Sequence, residues 1–166
     1  MMNLKYDSQK LAVKYFGVAV VLFGAQLVMG LIAAYQFINP EFLFNVFNFS
    51  TARMVHINAL VVWLLYAMIG SVYWMLPDET GIETVGIKLG NLAFYILTLA
   101  VTVVVLVYIL IQVGAGNETS LWLINEGREY LEAPRWADYG IVAVVLVFVY
   151  NVYATVAKGQ RTGITT

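Results

Sequence analysis

His56 is the single histidine of a chain that is 61% hydrophobic. It lies near the start of a long apolar stretch, in the run Ala52-Arg-Met-Val-His-Ile-Asn58. A neutral imidazole at the edge of a hydrocarbon layer is costly unless it has a partner, so it is the first place to look for chemistry. On a helix, Arg53, His56, Leu60 and Trp63 follow at intervals of three, four and three residues, and all four share one face. An arginine one turn outward from an imidazole can hold an anionic group beside whatever the imidazole binds. Heme meets that description, because its iron accepts an imidazole nitrogen and its propionates suit a guanidinium. Spacing alone slightly favours a plainer account, a buried histidine hydrogen-bonded to a neighbouring helix. A low-spin heme also needs a second axial ligand. Met54 points to a different face, Met29, Met68 and Met75 lie at other helix positions, and a second histidine would have to come from another chain.

A second concentration of chemistry lies in Asn125-Glu-Gly-Arg-Glu-Tyr-Leu-Glu-Ala-Pro134. It sets Glu126, Glu129 and Glu132 close together with Arg128 and, just beyond, Arg135. Three carboxylates beside two arginines could bind a hard cation such as calcium, or pass protons inward from the surface. Charge runs in loops are more often solvated and ion-paired, and without further context that is the default here.

The elements that must position these residues are apolar helices. With 11% charged residues and no cysteine, the composition is that of an integral membrane protein, and thiolate zinc sites, disulfides and iron-sulfur clusters held by this chain are excluded. Four stretches reach the roughly 20 predominantly apolar residues that a bilayer-spanning helix needs: about Leu11 to Phe37, Ala52 to Leu76, Gly86 to Val113 and Asp138 to Ala157. The expected fold is therefore all-α, an integral membrane bundle of four transmembrane helices within residues 1–166. The first stretch is too long for a cleaved signal peptide and reads as a retained helix. Pro77-Asp-Glu-Thr-Gly81 reads as a turn leaving helix 2. Gly17, Gly24 and Gly30, with Ala59, Ala67 and Gly70, read as small residues that let helices approach closely. Trp74, Trp122 and Trp136 read as interfacial anchors.

Basic residues give an orientation. Lys5, Lys10, Lys14, Lys88, Lys158 and Arg161 flank one side, against Arg53, Arg128 and Arg135 on the other, so both termini are expected in the cytoplasm. This puts His56 near the outer end of helix 2, on the side of the third loop. A formal net charge of -1 points to no nucleic-acid partner.

The segment 52–58, continuing through Val62-Trp-Leu-Leu-Tyr66 to Tyr73-Trp-Met-Leu-Pro-Asp-Glu79, and the segment Gly127-Arg-Glu-Tyr-Leu-Glu-Ala-Pro134 resemble the large catalytic subunit of bacterial nitric oxide reductase. That family belongs to the heme-copper oxidase superfamily, and the resemblance runs over essentially the whole chain, as part of a larger bundle. It implies that His56 is one axial ligand of the low-spin heme b, that Arg128 lies by the heme propionates, and that Glu129 matches a calcium-binding glutamate. Glu129 and Glu132 are then expected at a route for protons from the outer face. Arg53 near a propionate is an inference from its spacing to His56. The family reaction joins two molecules of nitric oxide into nitrous oxide with two electrons and two protons, in the bacterial inner membrane.

The chain departs from that pattern by ending at Thr166, after about four helices. The second low-spin heme ligand, the high-spin heme and the non-heme iron are expected on the remaining helices of the catalytic subunit, on another chain if the subunit is split or on the missing part if this chain is a truncated product, so this chain alone should not reduce nitric oxide. Its start almost directly at helix 1 favours the cytochrome c-dependent type, with a cytochrome c subunit as partner. Two other readings stay open: a heme-free structural or assembly subunit of a membrane oxidoreductase complex, and an electron-transfer cytochrome b of another oxidase-like complex.

Overall fold

The computed structural model describes residues 4–112, 125–126, 131–132 and 135–159. Four long helices dominate: α1 (Asp7–Gln36), α2 (Phe49–Thr80), α3 (Ile87–Gln112) and α4 (Arg135–Lys158). Each carries a window long and apolar enough to cross a bilayer. A two-residue antiparallel ladder, β1 (Asn125–Glu126) with β2 (Leu131–Glu132), lies between α3 and α4. The protein is an all-helical membrane bundle apart from this short pairing.

α1, α2 and α4 begin before their apolar stretches, and α2 also runs past its own; the ends of α1 and α2 are made by polar groups and a glycine that a hydropathy window does not register. At the start of α1, Gln9 Oε1 accepts from the backbone N–H groups of Lys5 (3.1 Å) and Tyr6 (3.3 Å). At the start of α2, Asn48 Oδ1 accepts the Thr51 N–H at 2.8 Å. The end of α2 differs from the expected turn. The helix runs through Pro77 to Thr80, and Gly81 closes it in the left-handed conformation (φ 70°), its N–H donating to the Pro77 carbonyl at 2.9 Å. Proline removes a single helical hydrogen bond, which an established helix tolerates, whereas glycine adopts the left-handed conformation without a Cβ penalty. The turn therefore begins at Gly81, not at Pro77.

Packing is tightest between α1 and α2, while α4 packs chiefly on α3. An aromatic cluster joins three of the helices: the Tyr15 ring centroid lies 5.4 Å from Tyr66, 5.9 Å from Tyr73 and 4.9 Å from Phe94. Tyr73 in turn meets Phe148 of α4 edge-on at 5.6 Å. Two of the phenols find partners inside the bundle, as membrane burial demands. Tyr66 pairs with the Thr98 hydroxyl at 2.9 Å, and Tyr73 accepts from Asn151 Nδ2 at 3.1 Å.

One end of the bundle is locked by polar contacts. Glu83, in the α2–α3 turn, accepts from the N–H groups of Asp7 (2.6 Å), Ser8 (3.3 Å) and Thr84 (2.7 Å). A carboxylate at a helix N-terminus offsets both the orphan donors and the positive end of the dipole. Beside it, Gln9 Nε2 donates to Asp78 Oδ2 at 3.1 Å, and the Val85 N–H donates to the Thr155 hydroxyl at 2.9 Å. Lys5, Lys10, Lys14, Lys88 and Lys158 share this end, and Lys14 Nζ donates to Asn91 Oδ1 (3.2 Å) and the Tyr95 hydroxyl (3.0 Å).

Glu83→Ala should cost about 1–2 kcal/mol by stripping the α1 start of its acceptor, seen as a lower melting temperature in detergent. Glu83→Gln, which keeps an acceptor oxygen, should lose less.

Candidate functional site

His56 sits in the second turn of α2, at the end of the bundle opposite the Glu83 lock. The asparagine cap at position 48 starts α2 early enough to place Arg53 and His56 on regular helix. Arg53, His56, Leu60 and Trp63 are all half-buried, and the shared face expected from their spacing is present. The Trp63 indole packs edge-on against Phe23 of α1 at 5.0 Å, so this face turns toward α1.

The imidazole meets α1 at a defined point. Nδ1 of His56 lies 2.8 Å from the backbone carbonyl oxygen of Gln26. A carbonyl only accepts, so in the neutral ring the proton belongs on Nδ1 and the lone pair on Nε2. This is the arrangement by which metal-binding histidines are fixed in tautomer and orientation. Gly30, one turn further along α1, gives the ring its room. A Cβ at this position would fall 2.6 Å from Nδ1 and 2.7 Å from Cε1, nearer than atoms pack. The small residue expected to serve general helix packing thus has a particular occupant.

Neither Gln26 nor the specific role of Gly30 was evident from sequence. Gln26 carried a usable signal as a polar residue in the middle of an apolar span, and the structure buries it to 8% exposure. The plainer account of His56, a histidine bonded to a neighbouring helix, is correct for Nδ1, and it leaves Nε2 available for a metal.

The other expected residues stand differently. Arg128 and Glu129 lie outside the described residues. Glu126, Glu132 and Arg135 are described through their backbone. β2, which carries Glu132, packs against α2. The methionines are dispersed: Met54 is buried, Met29 lines a cavity, and Met68 and Met75 are exposed. Among the described residues, no three histidine or carboxylate side chains gather into a metal cluster. The His56 imidazole has one nitrogen, Nε2, with which it can bond a metal.

A separate cavity of about 390 Å³ lies between the four helices, lined by Met29, Val55, Asn58, Val62, Tyr108 and Ile141 among others. His56 is not in its wall. Residues 55, 58, 59 and 62 present the adjacent face of α2 to it.

Residues 10–166 match the family model of cytochrome c and quinol oxidase polypeptide I. The chain belongs to this family. Over 166 residues it is 38% identical to a nitric oxide reductase subunit of Stutzerimonas stutzeri, covering 99% of this chain and 35% of that protein. It thus spans about a third of the length of the curated relative it matches. The resemblance read from the two motifs is to the large subunit of bacterial nitric oxide reductase within the heme-copper oxidase superfamily, and both comparisons agree with it.

Gly30→Ala should destabilise the bundle and displace the His56 ring, by about 1–3 kcal/mol as overpacking commonly costs. Gly24→Ala is its control, because a Cβ there meets nothing within 4 Å, and thermal unfolding of the two variants should separate them.

Proposed function

We propose that this chain is the low-spin heme b-bearing part of a nitric oxide reductase, working with the further helices that complete the catalytic subunit. The observation that carries the reading is that His56 Nδ1 is committed to the Gln26 carbonyl at 2.8 Å, which puts the ring's lone pair on Nε2. The likeness to a subunit of a nitric oxide reductase supports the choice of reaction. The residues present fit the cofactor, since a half-buried imidazole of fixed tautomer is backed by a glycine floor, with Arg53 one turn outward.

In this reading His56 would hold the heme iron through Nε2, and Arg53 and Arg128 would neutralise the propionates. The heme supplies one-electron redox chemistry in a dry apolar environment. The chain's own residues set its position: α1 fixes the plane of the imidazole, and the arginines hold the charged edge at the outer surface. Glu132 takes up protons from that surface, and Glu129, on the same route, would be the carboxylate to hold a calcium ion where one is bound. The second axial ligand, the high-spin heme and the non-heme iron belong to the remaining helices, so the reduction of nitric oxide to nitrous oxide requires them. A cytochrome c subunit delivers the electrons. The complex lies in the bacterial inner membrane with the lysine-rich, Glu83-locked end in the cytoplasm.

His56→Ala in the complex purified in mild detergent should abolish the low-spin heme absorption while the helices still assemble. If the spectrum persisted unchanged, the chain would be a heme-free structural or assembly subunit. Mass spectrometry of the co-purifying polypeptides should find a cytochrome c subunit.

A further inference from the structure

Gln26 is about nine-tenths buried, and its side chain lies beside the ring that its own backbone carbonyl holds. Gln26 Nε2 stands 3.5 Å from His56 Nδ1, while Gln26 Oε1 is buried without a hydrogen-bond partner among the described residues. That arrangement is self-contradictory. Nδ1 carries the proton given to the Gln26 carbonyl, so it cannot also accept from an amide nitrogen, and two donors would face each other. The two ends of a carboxamide have nearly the same shape, and their assignment follows from the hydrogen bonds they make. Turning the amide over puts its oxygen about 3.5 Å from Nδ1–H, the outer limit of a hydrogen bond, and moves the NH2 group to the other buried position. The turned amide replaces two opposed donors with a donor facing an acceptor, which favours it.

We infer that Gln26 is a positioning residue for His56, grasping Nδ1–H between two acceptors of one residue, the backbone carbonyl at 2.8 Å and the side-chain oxygen on a longer arm. Gly30 makes the grip possible by letting the ring lie against the α1 backbone. A proton shared between two oxygens leaves more electron density on the imidazole and raises the basicity of Nε2. A more basic ligand stabilises ferric over ferrous iron, so Gln26 lowers the reduction potential of a heme bound at His56. This rests on the heme reading above.

The test is a redox titration of the low-spin heme in the purified native complex, with heme content measured alongside. Gln26→Met keeps length and bulk but removes the acceptor, and should raise the midpoint potential. Gln26→Glu keeps an acceptor oxygen in either protonation state, and should return the potential to the wild-type value or below. A purely packing role predicts no such reversal. The inference is overturned if Gln26→Met retains heme at an unchanged potential, or if both variants shift upward together. Should Gln26→Met lose its heme, retention in Gln26→Glu at or below the wild-type potential supports the inference, and loss or an upward shift overturns it. A His56→Ala complex whose low-spin heme is intact marks the different failure, that of the heme reading itself.

Discussion

The hydrogen bond from His56 Nδ1 to the Gln26 carbonyl ties α2 to α1 at the end of the bundle that holds Arg53, and it sets what the imidazole there can do. Inside an apolar bundle an imidazole needs a fixed acceptor, and side chains capable of accepting are scarce there. The α1 backbone provides one, but only where the two helices come close enough. Gly30 permits that approach on the His56 side, and Gly70 permits it further inward, where a Cβ would lie 3.0 Å from Tyr15. The pairing of α1 with α2, the tightest in the bundle, therefore serves both the core and the imidazole. A ring fixed in this way has one nitrogen spoken for and one to offer, which is the requirement of an axial ligand.

The two ends of the bundle solve different problems. At the lysine-rich end the chain is fastened to itself: Glu83 caps α1 from far along the sequence, and Thr155 and Asn151 tie α4 to the α2–α3 turn and to Tyr73. Between the ends, the Tyr15, Tyr66 and Tyr73 cluster fills the core with rings whose polar tips find partners within the bundle or lie beside other rings. The opposite end holds Arg53, His56 and the β2 segment that packs on α2. Fastening one end sets the register at which the helices hold the residues of the other.

Much of this was legible in the sequence because bilayer-spanning helices declare themselves by length and apolarity alone. The ends were less so. α1 begins at Asp7 rather than near Leu11, and α2 continues to Thr80 rather than stopping near Leu76, because caps and glycine conformation, not hydropathy, end a helix. His56 was conspicuous as the single histidine, and its company with Arg53 and Trp63 follows from helix geometry. Its partner was not legible: Gln26 is 30 residues away, and only the register between two helices brings its carbonyl to the ring. Gly30 was visible as a small residue, yet nothing in the sequence distinguishes a glycine that seats an imidazole from one such as Gly24, which meets nothing. The loop residues Arg128 and Glu129 remain known by their motif.

The central claim is that Nε2 of His56 is a heme ligand held in place from α1. Electron cryomicroscopy of the native complex in detergent or nanodiscs, at a resolution that places side chains, tests it most directly. The account predicts a heme whose iron is bonded to His56 Nε2, with Nδ1 still on the Gln26 carbonyl and Arg53 at the propionate edge. Density in which Nε2 is packed against protein or lipid, with no heme beside α2, would contradict it.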